Sequence, residues 1–301
     1  HYDQAGMVEP AIDAYRVAGA RAVAVSALDE AVTMFRRALS LLAEVPPSPD
    51  RDALELDIRI ALGSPLVALE GYGSHGAHNL YARALSLCRQ LHRVVDPPIL
   101  RGLGLARLQG CRFDECSELG QALVDHESHD PIAKTEGRYL LGVSAFWRGD
   151  LANARQYLEG AIEAYDLSHR HEHLALYAQD PKAVCLVRLA WVDLWSGDAG
   201  RADERARSAL ELAVDLDHLM TLWYVLTYAA IIAAESEDLV RLAELLGDAE
   251  RLGKRLPLRY LMIVGEALRG WLDVCEGSPG GIERIVQSVT RSRTVGESLH
   301  L

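Results

Sequence analysis

The chain has 301 residues, 50% of them apolar, which is enough for about two globular cores or one elongated array. Asp and Glu total 43 against 31 Lys and Arg, and the net charge of −12 argues against a surface for duplex nucleic acid. No run approaches the roughly 20 apolar residues of a membrane span, and no signal peptide opens the chain. We therefore expect neither nucleic acid nor a membrane among its direct partners.

The five cysteines are an odd number and are spread along the sequence without a C-x-x-C pair. Such usage is typical of reduced thiols rather than of a disulfide framework. It predicts a cytoplasmic protein.

Helical periodicity runs along the whole chain, and no segment alternates apolar and polar residues with β-branched enrichment. An early helix shows the spacing i, i+4, i+7 and i+11 in Ala31, Phe35, Ala38 and Leu42. A Pro-rich stretch at 46–49 predicts a linker between first units at 1–45 and the remaining units at 50–301. We therefore predict one all-α array. Because it opens at His1 rather than Met, in the pattern of a helix end, we expect a fragment of a longer protein.

Helix starts recur as the pairs Asp96-Pro97, Asp130-Pro131 and Asp180-Pro181. Asp caps the free N–H groups of a helix, and Pro is tolerated in the first turn because its missing N–H costs nothing there. Gly149 and Gly197 stand where helices should end, since Gly adopts the left-handed cap conformation readily. The chain is therefore punctuated into short helices.

Two segments, 141–161 and 189–209, share the same internal spacing of small and large residues, and weaker copies occur elsewhere. This spacing resembles the tetratricopeptide repeat, whose nominal unit is about 34 residues. The equivalent small position falls at Ala31, Ala77, Cys116, Ala154, Ala202, Val240 and Ile282. The resemblance covers nearly the whole chain and implies a right-handed superhelix of about seven antiparallel helix pairs with one concave face.

Several short segments carry a narrower resemblance. They are residues 1–6, 20–22, 31–39, 71–73, 177–181 and 269–271. Together they resemble the helical region that follows the ATPase domain in large bacterial signalling proteins with a nucleotide cyclase, Ser/Thr kinase or LuxR-type output domain. The resemblance implies a parent protein with ATPase plus cyclase or kinase activity. No ATPase, cyclase or DNA-binding motif lies within these 301 residues.

The candidate catalytic motifs favour no enzyme. Gly71-x-Gly73-x-x-Gly76 matches a dinucleotide fingerprint, but it follows a helical stretch rather than a strand, so we interpret it as a turn with Ser74 as a helix cap. Phosphate-loop, H-E-x-x-H and G-x-S-x-G motifs are absent. We therefore expect no catalysis, no ATP binding and no cofactor in this region.

The connection 166–180 is long for this array, and long connections are usually functional or disordered. Its three histidines could hold a metal, but we favour a solvated loop because no orienting partners are visible. Its apolar residues predict an ordered segment that covers the concave groove and touches Trp191 or Trp195. The candidate residues of this segment are His169, His171, His173, Leu176, Tyr177, Gln179 and Asp180.

The repeat resemblance also implies that certain positions of the first helices face the groove. Carried onto this chain, those positions hold Tyr139, Trp147, Trp191, Trp195 and Trp271. They are either anchors for a partner, as aromatic residues often are at binding hot spots, or ordinary packing between helices.

Three functions follow as alternatives. The first is a non-catalytic solenoid that binds a protein or peptide partner, or other domains of its own chain, and relays to an ATPase and an output domain. The second is a small-molecule inducer sensor of a LuxR-type transcriptional regulator. The third, an enzyme, is disfavoured because no nucleophile–base pair stands out. A deep, closed pocket favours the sensor, and an open channel favours a peptide or protein partner.

Overall fold

The computed structural model describes residues 7–126, 130–255 and 258–294. Within these ranges the chain forms fifteen α-helices, fourteen of which lie in seven sequential antiparallel pairs. The first helices of the pairs are α1 (Val8–Ala24), α3 (Pro49–Glu70), α5 (Pro97–Gln109), α7 (Pro131–Trp147), α10 (Pro181–Trp195), α12 (Leu219–Glu235) and α14 (Arg259–Cys275). The second helices are α2 (Leu28–Leu42), α4 (His75–Gln90), α6 (Phe113–Val124), α8 (Leu151–Ala164), α11 (Ala199–Asp215), α13 (Leu239–Gly253) and α15 (Gly281–Thr294). The all-α array of paired helices is confirmed.

The remaining helix, α9 (Arg170–Tyr177), lies in the long connection between the fourth and fifth pairs. A 3₁₀ turn at Leu167–His169 precedes it. The connection that the sequence suggested to be a loop therefore has secondary structure of its own.

The first helices form an inner layer. From α3 onward each contacts the next first helix, in the order α3, α5, α7, α10, α12 and α14, and α14 returns to contact α3. Each second helix except α15 packs on its own partner and on the first helix of the following pair. The inner helices therefore form a closed ring, with the second helices outside it.

Polar caps start many of the helices. The side chain of Asp180 accepts the backbone N–H of Ala183 at 2.9 Å, and that of Asp130 accepts the N–H of Ile132 at 2.9 Å. Asp96 occupies the corresponding position before α5, but its side chain makes no capping hydrogen bond. Ser48 caps α3, so the Pro-rich stretch is the turn that leads directly into that helix.

The small repeat positions lie where paired helices approach. Ala154 and Ala202, each four residues after an Asp cap, are fully or almost fully buried. The equivalent position in α13 is Leu242, four residues after Asp238, and it is 0% exposed. The assignment of Val240 to that position is wrong, since Val240 is 75% exposed.

Ile282 of α15 was likewise assigned to the buried repeat position, and it is 70% exposed. That assignment is also wrong. In α15 the buried contact is made by Gly281, whose backbone lies against Gly270 of α14.

Across the described ranges, none of the helices combines the length and the apolar character that a membrane crossing needs.

Candidate functional site

The inner ring encloses a pocket of about 680 Å³ of empty space, part of it open to solvent. Its apolar wall is formed by Val67, Ala68, Leu105, Leu108, Met220 and Leu258. Five tyrosines also line it: Tyr72, Tyr139, Tyr177, Tyr224 and Tyr228. Its polar side chains are Gln109, Gln179 and Arg188. Because α3, α5, α7, α9, α10 and α12 all contribute, the pocket lies at the centre of the ring.

The connection 166–180 forms one side of this pocket through Tyr177, Ala178 and Gln179. Ala178 has φ of 59°, in the left-handed region, and this turn ends α9 and leads into α10. The connection is hydrogen-bonded to an inner helix. The backbone N–H of Asp180 donates to Oγ1 of Thr221 on α12 at 3.0 Å. The contact of this connection with Trp191 or Trp195 stays a prediction.

A buried ion cluster joins this connection to the ring. Arg101, 2% exposed, donates from Nε to Glu136 Oε2 at 3.2 Å and from Nη2 to Gln179 Oε1 at 2.9 Å. Its Nη1 donates to the hydroxyl of Tyr72. His173 Nδ1 lies 2.8 Å from Glu136 Oε1, and the His173 side chain is 1% exposed. All three Arg101 nitrogens are therefore partnered.

The other histidines lie elsewhere. His169 Nδ1 lies 3.3 Å from Glu172 Oε2, and His171 is exposed. The interpretation of all three as a solvated loop is therefore wrong for His173, which is buried against Glu136. In the described part of the chain no group of three His, Cys, Asp or Glu residues is placed to hold a metal ion.

Asp180 and Leu176 lie outside the pocket. Asp180 is fully buried, and it accepts from the hydroxyl of Tyr165 at 2.6 Å and from Arg170 Nε at 3.1 Å. Together with its capping bond to Ala183, these contacts make Asp180 a structural residue. Leu176 is 37% exposed.

Three tryptophans form an aromatic cluster beside the pocket. The ring centroids of Trp191 and Trp195 lie 4.7 and 4.8 Å from that of Phe146. Trp147 meets Trp191 edge-on at 5.5 Å. The indole N–H groups of Trp191 and Trp195 donate to Glu235 Oε2 at 2.6 and 2.8 Å. These contacts are typical of packing between helices.

The five groove positions proposed from the sequence therefore fall into two groups, one that lines the pocket and one that does not. Within the described residues, Tyr139 is the one that lines the pocket, and it is 3% exposed. Trp271 of α14 is 42% exposed and is not among the pocket-lining residues.

A second buried arginine, Arg188, lines the pocket. Arg188, 4% exposed, donates from Nε to Tyr224 at 2.8 Å and from Nη2 to Tyr228 at 2.7 Å. Its Nη1 is buried and has no hydrogen-bond partner among the described residues. The hydroxyls of Tyr139 and Tyr224 lie 3.0 Å apart. Arg188 is thus held by phenols rather than by a carboxylate.

Tyr139 and Tyr224 remain neutral at physiological pH. Burial raises the pKa of Tyr139 to about 12, and it raises the pKa of Tyr224 well above its usual value. The positive charge of Arg188 therefore meets neutral partners, which are hydroxyl dipoles and the ring of Tyr228, whose centroid lies 3.8 Å from the guanidinium carbon.

The sequence-based candidates did not include Arg101, Glu136 or Arg188. Arg188 has a recognisable sequence signal, because it is the one charged residue in the apolar run 183–192. Such residues are almost never fully buried unless they are paired.

The chain resembles known proteins in its fold more than in its sequence. No known protein-family profile matches the chain. An uncharacterized protein of Rhizobium meliloti (strain 1021) is 23% identical over 301 residues, which covers 98% of this chain and 29% of the relative. The chain thus spans less than a third of that relative's length.

Among solved structures, a Rap protein complexed with competence and sporulation factor superposes with a TM-score of 0.60. The chain shares the fold of this Rap protein. The alignment covers 94% of this chain and 87% of the Rap chain at 10% sequence identity. This likeness confirms the tetratricopeptide-like array, and at such low identity it extends to the fold alone.

Proposed function

We propose that the chain is a non-catalytic binding array whose inner pocket holds a short peptide partner, and that it acts as the regulatory region of a larger signalling ATPase. The observation that carries this proposal is the closed ring of inner helices around a pocket lined by apolar side chains, tyrosines and Arg188. Sites for small ligands usually combine apolar walls with a few polar groups, and the lining of this pocket has both.

The size of the pocket favours a short partner over a folded one. An α-helix with its side chains is about 10–12 Å across, and an intact domain is far larger. An extended peptide end needs less width, and its backbone groups can meet the hydroxyls and amides of the lining. The Rap protein of the same fold is complexed with competence and sporulation factor, which supports a binding role for the array.

The lining supports a role without catalysis. The described residues around the pocket include no Ser, Cys, His or carboxylate side chain, so the usual nucleophile–base pairs are missing from it. The matched relative extends well beyond the aligned region, which supports an array that works beside other domains. We propose that α9 transmits ligand binding to those domains. The segment 166–180 that contains α9 lines the pocket, and His173 of α9 contacts Glu136 of α7.

A small-molecule sensor is the second candidate. The specific observation in its favour is the enclosure of the pocket by the ring, which also suits a compact apolar molecule with a polar group. An inducer of a LuxR-type regulator is the corresponding ligand class.

Affinity capture of peptides tests the peptide proposal. A pool of random hexapeptides is passed over the immobilised 301-residue chain, and bound sequences are identified by mass spectrometry. Met220→Trp fills the pocket, and Val240→Trp, at an exposed site on α13, serves as the matched control. We expect the wild type and Val240→Trp to capture the same sequences and Met220→Trp to lose them. Equal capture by Met220→Trp, or no enrichment by the wild type, contradicts the proposal.

A further inference from the structure

We propose that Arg188 binds a free carboxylate of the ligand, the C-terminus of a short peptide that ends in an apolar residue. This inference rests on the proposed function, because it concerns the same pocket. It names the group that the pocket recognises.

The two buried arginines of the ring differ in their partners. Arg101 and Arg188 are 2% and 4% exposed, so both have lost most of their hydration. Arg101 is paired with the carboxylate of Glu136. Arg188 has no ion-pair partner among the described residues, and its hydrogen bonds go to Tyr224 and Tyr228. A buried cation without an anion is costly, so the missing charge is expected from a ligand.

The free hydrogen-bonding capacity of Arg188 agrees with this assignment. Its Nη1 is buried without a hydrogen-bond partner in the described structure, and the side chain lines the pocket. A guanidinium binds a carboxylate especially well because its planar N–H groups match the carboxylate geometry.

A second unpartnered polar atom lines the same pocket. Gln109, at the end of α5, is 8% exposed, and its Oε1 is buried without a hydrogen-bond partner in the described chain. An amide oxygen accepts hydrogen bonds, so it needs a donor. The last residue of a peptide carries a carboxylate and an N–H donor, both attached to the same Cα. A peptide end therefore offers the two kinds of partner, an acceptor and a donor, that these two side chains lack.

The apolar wall suggests what lies between these groups. Leu105, Leu108 and Met220 line the pocket together with the tyrosine rings, so an apolar terminal side chain can be buried there. An acylated amino acid presents the same carboxylate, N–H and apolar side chain as a peptide end. A peptide end and an acylated amino acid therefore present the same recognised groups, and the experiment below distinguishes them.

The test compares free acids with amides on the unmodified chain. One hexapeptide pool ends in a free carboxylate and its twin ends in an amide, and N-acetyl-leucine with its amide forms the small-molecule pair. We expect binding of the free acids to be about 10-fold to 100-fold tighter than that of the amides, as for hydrogen bonds to charged groups. The pools report on a peptide source. A rise in melting temperature with N-acetyl-leucine alone identifies a small carboxylate instead.

Variants assign the preference to Arg188. Arg188→Met is expected to remove it, Arg188→Lys to retain part of it, and Arg241→Met, on the outer helix α13, to leave it unchanged. Hexapeptides bound equally as acid and amide would overturn the carboxylate anchor and leave the peptide proposal standing. Absence of binding by both pools and both small molecules would overturn the anchor, and the failed pools would independently count against the peptide proposal. The acid–amide comparison uses the wild type, so it decides the question even if a variant misfolds.

Discussion

The two buried arginines of the ring, Arg101 and Arg188, differ in the charge of their partners. The first is neutralised by Glu136, which also meets His173, and so ties three helices together. The second lines the pocket, donates to two tyrosine hydroxyls and has a buried Nη1 without a hydrogen-bond partner among the described residues. We expect the first arrangement to stabilise the fold and the second to serve the proposed ligand binding.

Replacing each arginine by methionine distinguishes these roles. Arg101→Met leaves the buried carboxylate of Glu136 without its cation, and loss of one partner from a buried pair costs about 3–5 kcal/mol. Arg188→Met removes a cation that has no anion, so its cost in the ligand-free chain should be at least about 2 kcal/mol smaller. Urea denaturation measures both. Equal losses would show that Arg188 is as structural as Arg101.

His218 makes stability depend on pH. It caps α12, where its Nδ1 accepts the backbone N–H of Thr221 at 3.3 Å, and burial lowers its pKa below the ordinary value of 6.5. The unfolded chain therefore takes up the proton first. The contribution of His218 is complete above pH 6.5 and is lost as the pH falls through the folded pKa.

The variant His218→Asn keeps a capping acceptor but does not titrate. We expect the wild type to lose more unfolding free energy than His218→Asn between about pH 7.5 and pH 5.5, by up to roughly 1.4 kcal/mol per unit of pKa difference. Chemical denaturation at the two pH values measures this. An equal loss in both proteins would mean that His218 does not contribute.

At the scale of the helix pair, a small residue in one helix lets the backbones of the two helices pack closely. A Cβ built on Gly142 of α7 would lie 2.6 Å from Cγ of Leu158 on α8, so this pair has room for a hydrogen only. Gly265 of α14 has no atom within 4 Å of its equivalent Cβ among those the structure describes. The two glycines are therefore a matched pair, one needed for packing and one not.

Alanine at these positions should have opposite effects. Gly142→Ala is expected to destabilise the chain by about 1–3 kcal/mol through overpacking. Gly265→Ala should stabilise it by roughly 0.5–1 kcal/mol, because Ala is the better helix former. Thermal unfolding measures both changes, and a neutral Gly142→Ala would contradict the close approach.

Most of the helix pairs could be predicted from the sequence, because small residues at fixed spacing, Asp caps and Pro at helix starts act locally. Ala154 and Ala202 show this directly, as both are buried at the expected positions. The register of α13 was misjudged because the large Leu242 occupies the position where small residues were sought. The helix α9 was missed because it has only 8 residues, too few for a clear period.

At the scale of the whole molecule, the contact between α14 and α3 closes the ring. It depends on small rotations accumulated over the successive pairs, and no local pattern encodes their sum. The pocket shares this origin, since it combines residues as distant in sequence as Val67 and Leu258. The sequence therefore predicted a concave face, and Tyr139, Tyr177 and Gln179 were chosen as candidate site residues, but the enclosure of the pocket and its charged groups were not foreseen.

We propose that ligands bind inside the ring of inner helices. Hydrogen exchange of the 301-residue chain, with and without a hexapeptide recovered from the free-acid pool, tests it most directly. We predict slower exchange in α9, α10 and α12 on binding, and unchanged exchange in the outer helices α2, α4 and α13. Slower exchange confined to the outer helices would contradict the account.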